Sequence, residues 1–295
     1  MLAVDGAQAR EIERKLIASA FSFHSAPHAT FSAKGQGVVA THYHSGKLVI
    51  QGEHPESFVT AYVDGASINA TKKKSSAPQA IRAPDSAEET MIGGDESGKG
   101  DYFGPLVVAA VRLEPALARA LARGEVRDCK LMSDEQVLRV GAALRANVPF
   151  AVARLDPDDY NAEHARVKNL NPMLAALHAK AVRELATPGV RVVIDQFAND
   201  RLMQTALKGV DIKLEQRHRA EELLAVAAAS VIAREQFLSA LKELSETWAV
   251  DLAKGAGDPV QRAARRFLQL HGMEKLGHVA KLHFKNTQKL GGAAR

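Results

Sequence analysis

Residues 71–90, Thr-Lys-Lys-Lys-Ser-Ser-Ala-Pro-Gln-Ala-Ile-Arg-Ala-Pro-Asp-Ser-Ala-Glu-Glu-Thr, cannot help to build a packed core, because they hold two prolines, a run of lysines and almost no large apolar group. Such a stretch is a linker. The chain must therefore fold as two units, residues 1–75 and 90–295, joined through residues 76–89. Its length of 295 residues agrees, being more than one compact domain usually holds. A composition of 46% hydrophobic and 25% charged residues excludes wholesale disorder and fibrous architectures. The single cysteine, Cys129, excludes an intrachain disulfide framework and suits a reducing compartment, so a cytoplasmic location is expected. Asp5 and Arg10 interrupt the apolar core that a signal peptide would need. The longest apolar run, residues 223–233, is broken by Ser230 and falls short of the roughly 20 residues of a membrane span.

The first unit combines one amphipathic helix with strands. Ile12, Leu16, Ile17 and Ala20 recur at helical spacing over residues 8–20. Short runs rich in β-formers follow at residues 29–33, 37–43 and 47–51, with His44-Ser45-Gly46 as a turn. This predicts a small α+β module whose polar sheet face, bearing Tyr43, Lys34 and Lys47, could lie on nucleic acid or simply face solvent. The second unit alternates apolar strands, at residues 106–113 and 190–194, with helices. Ser133 with Gln136 opens one helix as a capping box. Long helices are predicted over residues 220–248 and 259–271, the second with Asp258 as its N-cap, Pro259 at its first position and Gly272 just beyond its end. The class is α/β.

Charge is uneven. Residues 260–295 hold eight Lys or Arg and one Glu, within a chain of net charge +5. A basic segment on a near-neutral body fits a polyanionic partner, since each neutralised phosphate releases counterions. From charge alone, a solvated basic helix face with no partner is the better reading.

The sequence from Gly93 to Pro105, Gly-Gly-Asp-Glu-Ser-Gly-Lys-Gly-Asp-Tyr-Phe-Gly-Pro, is the most unusual in the chain. It has the glycine and lysine spacing of a phosphate-cradling loop, but Gly100 replaces the hydroxyl that would bind magnesium. Asp95 and Glu96 would also place negative charge where a triphosphate must sit. No nucleotide cofactor is expected. The adjacent acids, at the end of an apolar strand after Met91-Ile92-Gly93-Gly94, make better sense if a cation binds them, because unpaired neighbouring carboxylates repel. Magnesium or manganese suits oxygen ligands, and two ions about 3.5–4 Å apart promote phosphodiester hydrolysis. Asp195 ends a second β-branched strand, and ligands of open α/β sheets gather at the carboxyl ends of strands. Glu221 and Glu222 precede an alanine-rich helix, where acids also suit a helix's first turn. Gly98 and Gly100 allow close backbone approach to a ribose hydroxyl, and Lys99 can hold phosphate.

Together these segments resemble ribonuclease HIII, of the ribonuclease HII/HIII family. The stretch from Asp95 to Pro105 resembles the first active-site motif in its HIII form. The segments Val126-Arg127-Asp128-Cys129-Lys130, Asn169-Leu170-Asn171, Ile194-Asp195-Gln196-Phe197-Ala198, residues 227–234, Lys254-Gly255-Ala256-Gly257 and residues 280–287 are also similar to the family's. Cys129 stands where the family has serine, and a thiol is a weak hydrogen-bond donor. The resemblance implies an RNase H-like fold, a mixed five-stranded sheet flanked by helices, with a small N-terminal α+β TATA-binding-protein-like domain that grips substrate through a hairpin resembling Tyr43 to Gly52. It implies two Mg2+ or Mn2+ ions held by Asp95, Glu96, Asp195 and Glu221, with Glu222 the alternative fourth ligand. It also implies substrate contacts by Ser97, Gly98, Lys99 and Gly100. The expected activity is endonucleolytic cleavage of the RNA strand of RNA/DNA hybrids by a monomer, leaving 5′-phosphate and 3′-hydroxyl ends. The alternatives are incision at single ribonucleotides in duplex DNA and hybrid binding without catalysis.

Overall fold

A computed structural model describes residues 2–26, 28–52, 55–63, 89–122, 132–198 and 200–291. Residues 76–88 of the linker and the 126–130 segment with Cys129 lie outside them. The chain divides into two units, Met1–Gln79 and Ala80–Arg295.

The first unit contains β1 (Leu2–Ala3), α1 (Gly6–Ala18), β2 (Ser22–His24), β3 (Ala29–Gly35), β4 (Val38–Tyr43), β5 (Lys47–Gly52) and α2 (Pro55–Tyr62). Helix α1 starts two residues earlier than its apolar spacing predicts, because Asp5 accepts bonds from the Ala7 and Gln8 amides while the Gln8 side chain bonds back to Asp5. The strands form an antiparallel sheet in the order β1-β5-β4-β3-β2. Phe31, Ala33, Val38, Ala40 and Leu48 pack with Ile12 and Leu16 of α1 and Phe58 of α2. Ala40 pairs with Ile50 and Thr41 with Val49. Strand alternation therefore puts Tyr43 and Lys47 on the face of Thr41 and Val49, away from that core.

The second unit contains β6 (Met91–Ser97), β7 (Leu106–Leu113), α3 (Pro115–Leu121), α4 (Asp134–Asn147), β8 (Phe150–Leu155), α5 (Pro157–Val167), α6 (Leu170–Leu185), β9 (Val190–Asp195), α7 (Asp200–Ala206), β10 (Ile212–Arg217), α8 (Leu224–Thr247), α9 (Asp258–His271) and α10 (Lys285–Gly291). Its sheet is mixed, in the order β10-β9-β6-β7-β8. The first three strands are parallel and the last two antiparallel. Alternate residues feed two cores. Met91, Val107, Ala109, Val111 and Val193 share one core with α4, α8 and α9, whereas Ile92, Val108, Ala110, Val192 and Ile194 share the other with α6 and α7. Helix α8 is the one described helix long and apolar enough to cross a membrane, but most of its residues are buried within the first of these cores.

Three sequence expectations change. Strand β6 does not end at Gly94 but runs through Ser97, because all seven of its residues pair with β7. The predicted helix over 220–248 is two elements: a 3-10 turn at Ala220–Glu222, an extended Leu223, then α8. Gly257, not Asp258, occupies the N-cap of α9; Asp258 is its first helical residue and makes no side-chain cap. The Ser133–Gln136 capping box forms as read.

Candidate active site

The site is assembled at the carboxyl ends of parallel β6 and β9. Their last paired residues are Gly94 and Ile194, and Asp95 and Asp195 follow immediately on each strand. Both acids share the alternation of Gly93 and Val193, so they point to the α8 face. Gly93 makes this possible: a Cβ there would lie 2.2 Å from the Ala225 carbonyl carbon, so only glycine lets the start of α8 press against β6. The small residues Ala225 to Ala229 permit the same approach from the helix side. That contact brings the Ala220–Glu222 turn to the strand ends, where Asp195 Oδ1 accepts the Ala220 amide at 3.1 Å. Glu221 follows directly.

Glu96, next along β6, points to the opposite face. There it meets His178 of α6, which is fully buried, stacks on Phe197 with 5.2 Å between ring centroids and packs under Gly94. His178 Nε2 lies 3.5 Å from Glu96 Oε2, an electrostatic contact too poorly aligned to be a hydrogen bond. Lys99 Nζ is 3.4 Å from Glu96 Oε1. Burial pushes the Glu96 carboxyl up, but His178 and Lys99 outweigh it and hold the group below its ordinary value.

Gly98 to Gly100 form the turn after β6, which ends at Ser97. The two glycines differ in kind. Gly98 is buried, has φ 87°, and could carry no Cβ, which would lie 2.1 Å from the Pro105 carbonyl oxygen. Gly100 is exposed with open space around it, and Lys99 is exposed beside it. The far side of the turn is pinned by distant chain. Tyr102 N donates to the Gly255 carbonyl at 2.9 Å and Gly104 N to the Val279 carbonyl at 2.9 Å. Asp101 Oδ1 accepts the Gly255 amide at 2.6 Å. The sequence segments at 254–257 and 280–287 are thus structural neighbours of the glycine turn.

The family model described as Ribonuclease HII matches residues 92–287, and one described as a domain of unknown function, DUF3378, matches residues 2–76. Proteins called Ribonuclease HIII from Protochlamydia amoebophila and Chlamydia trachomatis serovar L2 (strain ATCC VR-902B / DSM 19102 / 434/Bu) are 33% and 36% identical to this chain, each over 96% of it and 94% of the relative. The chain belongs to the ribonuclease HIII family. It is accordingly an enzyme of the endoribonuclease class. Among solved structures, Bst-RNase HIII in complex with Mn2+ is 33% identical, with a TM-score of 0.66 over 100% of this chain and 98% of that one. Ribonuclease H2 from Pyrococcus horikoshii OT3, 19% identical with a TM-score of 0.61 over 69% of this chain and 98% of that one, shares the fold.

In this ribonuclease HIII chain, the donor chemistry at the strand ends fits a hard divalent cation. The acids supply only carboxylate oxygens, the hard ligands such an ion prefers. The side chains themselves are not drawn together: among the described residues, no group of three or more His, Cys, Asp or Glu is placed to hold an ion. Asp95 Oδ1 accepts the Glu96 amide at 2.8 Å, Asp195 binds the Ala220 amide, and Glu222 lies 3.9 Å from Arg217. Backbone placement joins Asp95, Asp195 and the turn carrying Glu221, with Glu96 on the other face. Tyr43 and Lys47 belong to the first unit. Sequence reading missed His178, whose signal was a lone histidine in the apolar helix Leu170–Leu185, and Lys281, which it counted with the basic tail although it is fully buried.

Proposed function

We propose that this enzyme hydrolyses the RNA strand of RNA/DNA hybrids endonucleolytically, leaving 5′-phosphate and 3′-hydroxyl ends, and works as a cytoplasmic monomer. The observation that carries the reading is the position of Asp95 and Asp195, each one residue past the last paired residues Gly94 and Ile194 of parallel β6 and β9, with the Ala220 turn bonded to Asp195. Asp95, Glu96, Asp195 and Glu221 would hold two Mg2+ or Mn2+ ions, and a Mn2+ complex of a 33% identical relative supports divalent-metal dependence. When bound, such ions activate water and stabilise the leaving oxygen. The protein's own groups orient the strand: the open backbone at Gly100 and the Gly98 turn meet the ribose, Lys99 exchanges Glu96 for a phosphate, and Tyr43 and Lys47 hold nucleic acid from the first unit.

The test is cleavage of a continuous hybrid compared with a DNA duplex bearing one ribonucleotide, with and without EDTA. Asp95→Asn is expected to lower hybrid cleavage by roughly three orders of magnitude or more, the equivalent of several kcal/mol of lost transition-state stabilisation. Preference for the single-ribonucleotide duplex would assign HII-type incision instead. Hybrid binding without metal-dependent cleavage would leave a binding protein.

A further inference from the structure

The buried ammonium of Lys281 has no part in the proposed metal chemistry. Its side chain is fully buried, in a segment remote in sequence from β6. The Nζ donates to the Asp101 carbonyl at 2.9 Å and to the Gly104 carbonyl at 2.7 Å, and lies 5.5 Å from the centre of the Tyr160 ring. Its backbone amide donates to the Tyr102 carbonyl at 2.8 Å. Three separate segments therefore meet at one residue: α5 through Tyr160, the stretch carrying Lys281 itself, and the turn that follows β6.

We propose that Lys281 is a positioning residue for ribose recognition: by holding the carbonyls of Asp101 and Gly104 from beneath, it sets the backbone of Lys99 and Gly100, exposed beyond the buried Gly98, that meets the RNA strand. This rests on the hybrid-cleavage reading. Burying an ammonium is costly, and an apolar side chain of similar volume would fill the space without that cost. What the ammonium adds is two directed bonds to the main chain of one turn. Those bonds bracket the turn's fixed limb, while Lys99 and Gly100 on its other limb stay exposed. Asp101 N also donates to the Gly98 carbonyl at 3.3 Å, so a shift at Asp101 is passed to the residue that starts the turn. Burial draws the ammonium down to about 7 against the pull of Asp101. Charged or neutral, the amine keeps at least two N–H groups for its two carbonyls, so the positioning survives across neutral pH.

The test compares wild type, Lys281→Met and Lys281→Arg in binding a labelled hybrid and a DNA duplex of the same sequence, by fluorescence anisotropy in EDTA so that no strand is cut. The preference for hybrid is expected to fall about tenfold in Lys281→Met, equivalent to about 1.4 kcal/mol, with DNA affinity changed by less than about twofold and most of the preference recovered in Lys281→Arg. In steady-state cleavage KM is expected to rise more than kcat falls. Hydrogen exchange at residues 98–104 should quicken in Lys281→Met. A folded Lys281→Met protein with undiminished hybrid preference overturns the proposal, as does equal loss on both duplexes. Should that variant not fold, Lys281→Gln, which keeps a donor, is read by the same criteria. If wild type prefers hybrid but does not cut it, the cleavage reading fails and the Lys281 proposal stands or falls on the binding ratio. If it cuts hybrid without preferring it, only the Lys281 proposal fails.

Discussion

The turn at residues 43–47 contains one glycine with positive φ, Gly46 at 75°, and the turn at residues 97–105 contains two, Gly98 at 87° and Gly104 at 79°. The first has a closing bond of its own, from Gly46 N to the Tyr43 carbonyl at 2.9 Å between paired strands of one antiparallel hairpin, and outside chain adds one bond on each side of it, Val4 N to the Gly46 carbonyl at 2.9 Å and His44 N to the His28 carbonyl at 3.0 Å. The second is shaped from outside, by Gly255, Val279 and Lys281. A Cβ on Gly46 would have only the Val4 carbonyl oxygen near it, at 3.5 Å, whereas on Gly98 it would overlap the Pro105 carbonyl. The same backbone conformation is thus a local convenience in one unit and a packed necessity in the other. A turn held by remote chain through packed backbone can keep its shape while leaving exposed groups for a ligand; a hairpin turn with its own closing bond and room around its glycine offers a sheet face instead.

The widest gap between the two turns is expected from alanine at each glycine. Gly98→Ala should destabilise the second unit by roughly 3 kcal/mol or more, because left-handed strain adds to overlap with backbone that cannot yield. Gly46→Ala should cost about 1 kcal/mol, the conformational part alone. Urea unfolding of both variants measures the difference, and equal losses would break the contrast. Next in size, replacing Tyr43 and Lys47 by alanine should weaken hybrid binding by about 1 kcal/mol and lower the slope of log affinity against log salt by about 1, the signature of one lost phosphate contact. Affinity and slope both unaltered would remove the first unit's sheet face from the interface. The smallest effect concerns Glu96. Its folded pKa lies below the ordinary 4.5, so its stabilisation is fully present above that value and lost as pH falls through the lowered one. Lys99→Met should flatten this acid loss by under about 1 kcal/mol, since the Lys99 contact is partly exposed. A steeper loss in the variant would mean that Lys99 does not help hold the carboxylate charged.

Much of this was legible because it is local. The β-branched run ending in Asp195, the Ser133 capping box and the Tyr43 to Gly52 hairpin each follow from neighbouring residues. Strand β6 was read too short because Gly93, Gly94 and the charged residues after them have the composition of a loop; pairing with β7 overrides that propensity. The break between Ala220–Glu222 and α8 was hidden for a related reason. Acidic and apolar residues run on with helical periodicity, and only Arg219 in a left-handed conformation and an extended Leu223 interrupt it. Lys281 was misread because a charge count sees sequence and not burial.

The sequence by itself determined the two-unit division, the α/β alternation, the acids at strand ends and, through an eleven-residue motif with its companions, the family. The tertiary structure alone decided that Asp95 and Glu96 face opposite sides of the sheet, that each carboxylate leans on a nearby donor, and that a C-terminal lysine underpins the glycine turn. Side-chain direction and burial depend on which distant strand or helix lies alongside, and those neighbours are fixed by packing between residues far apart in the chain.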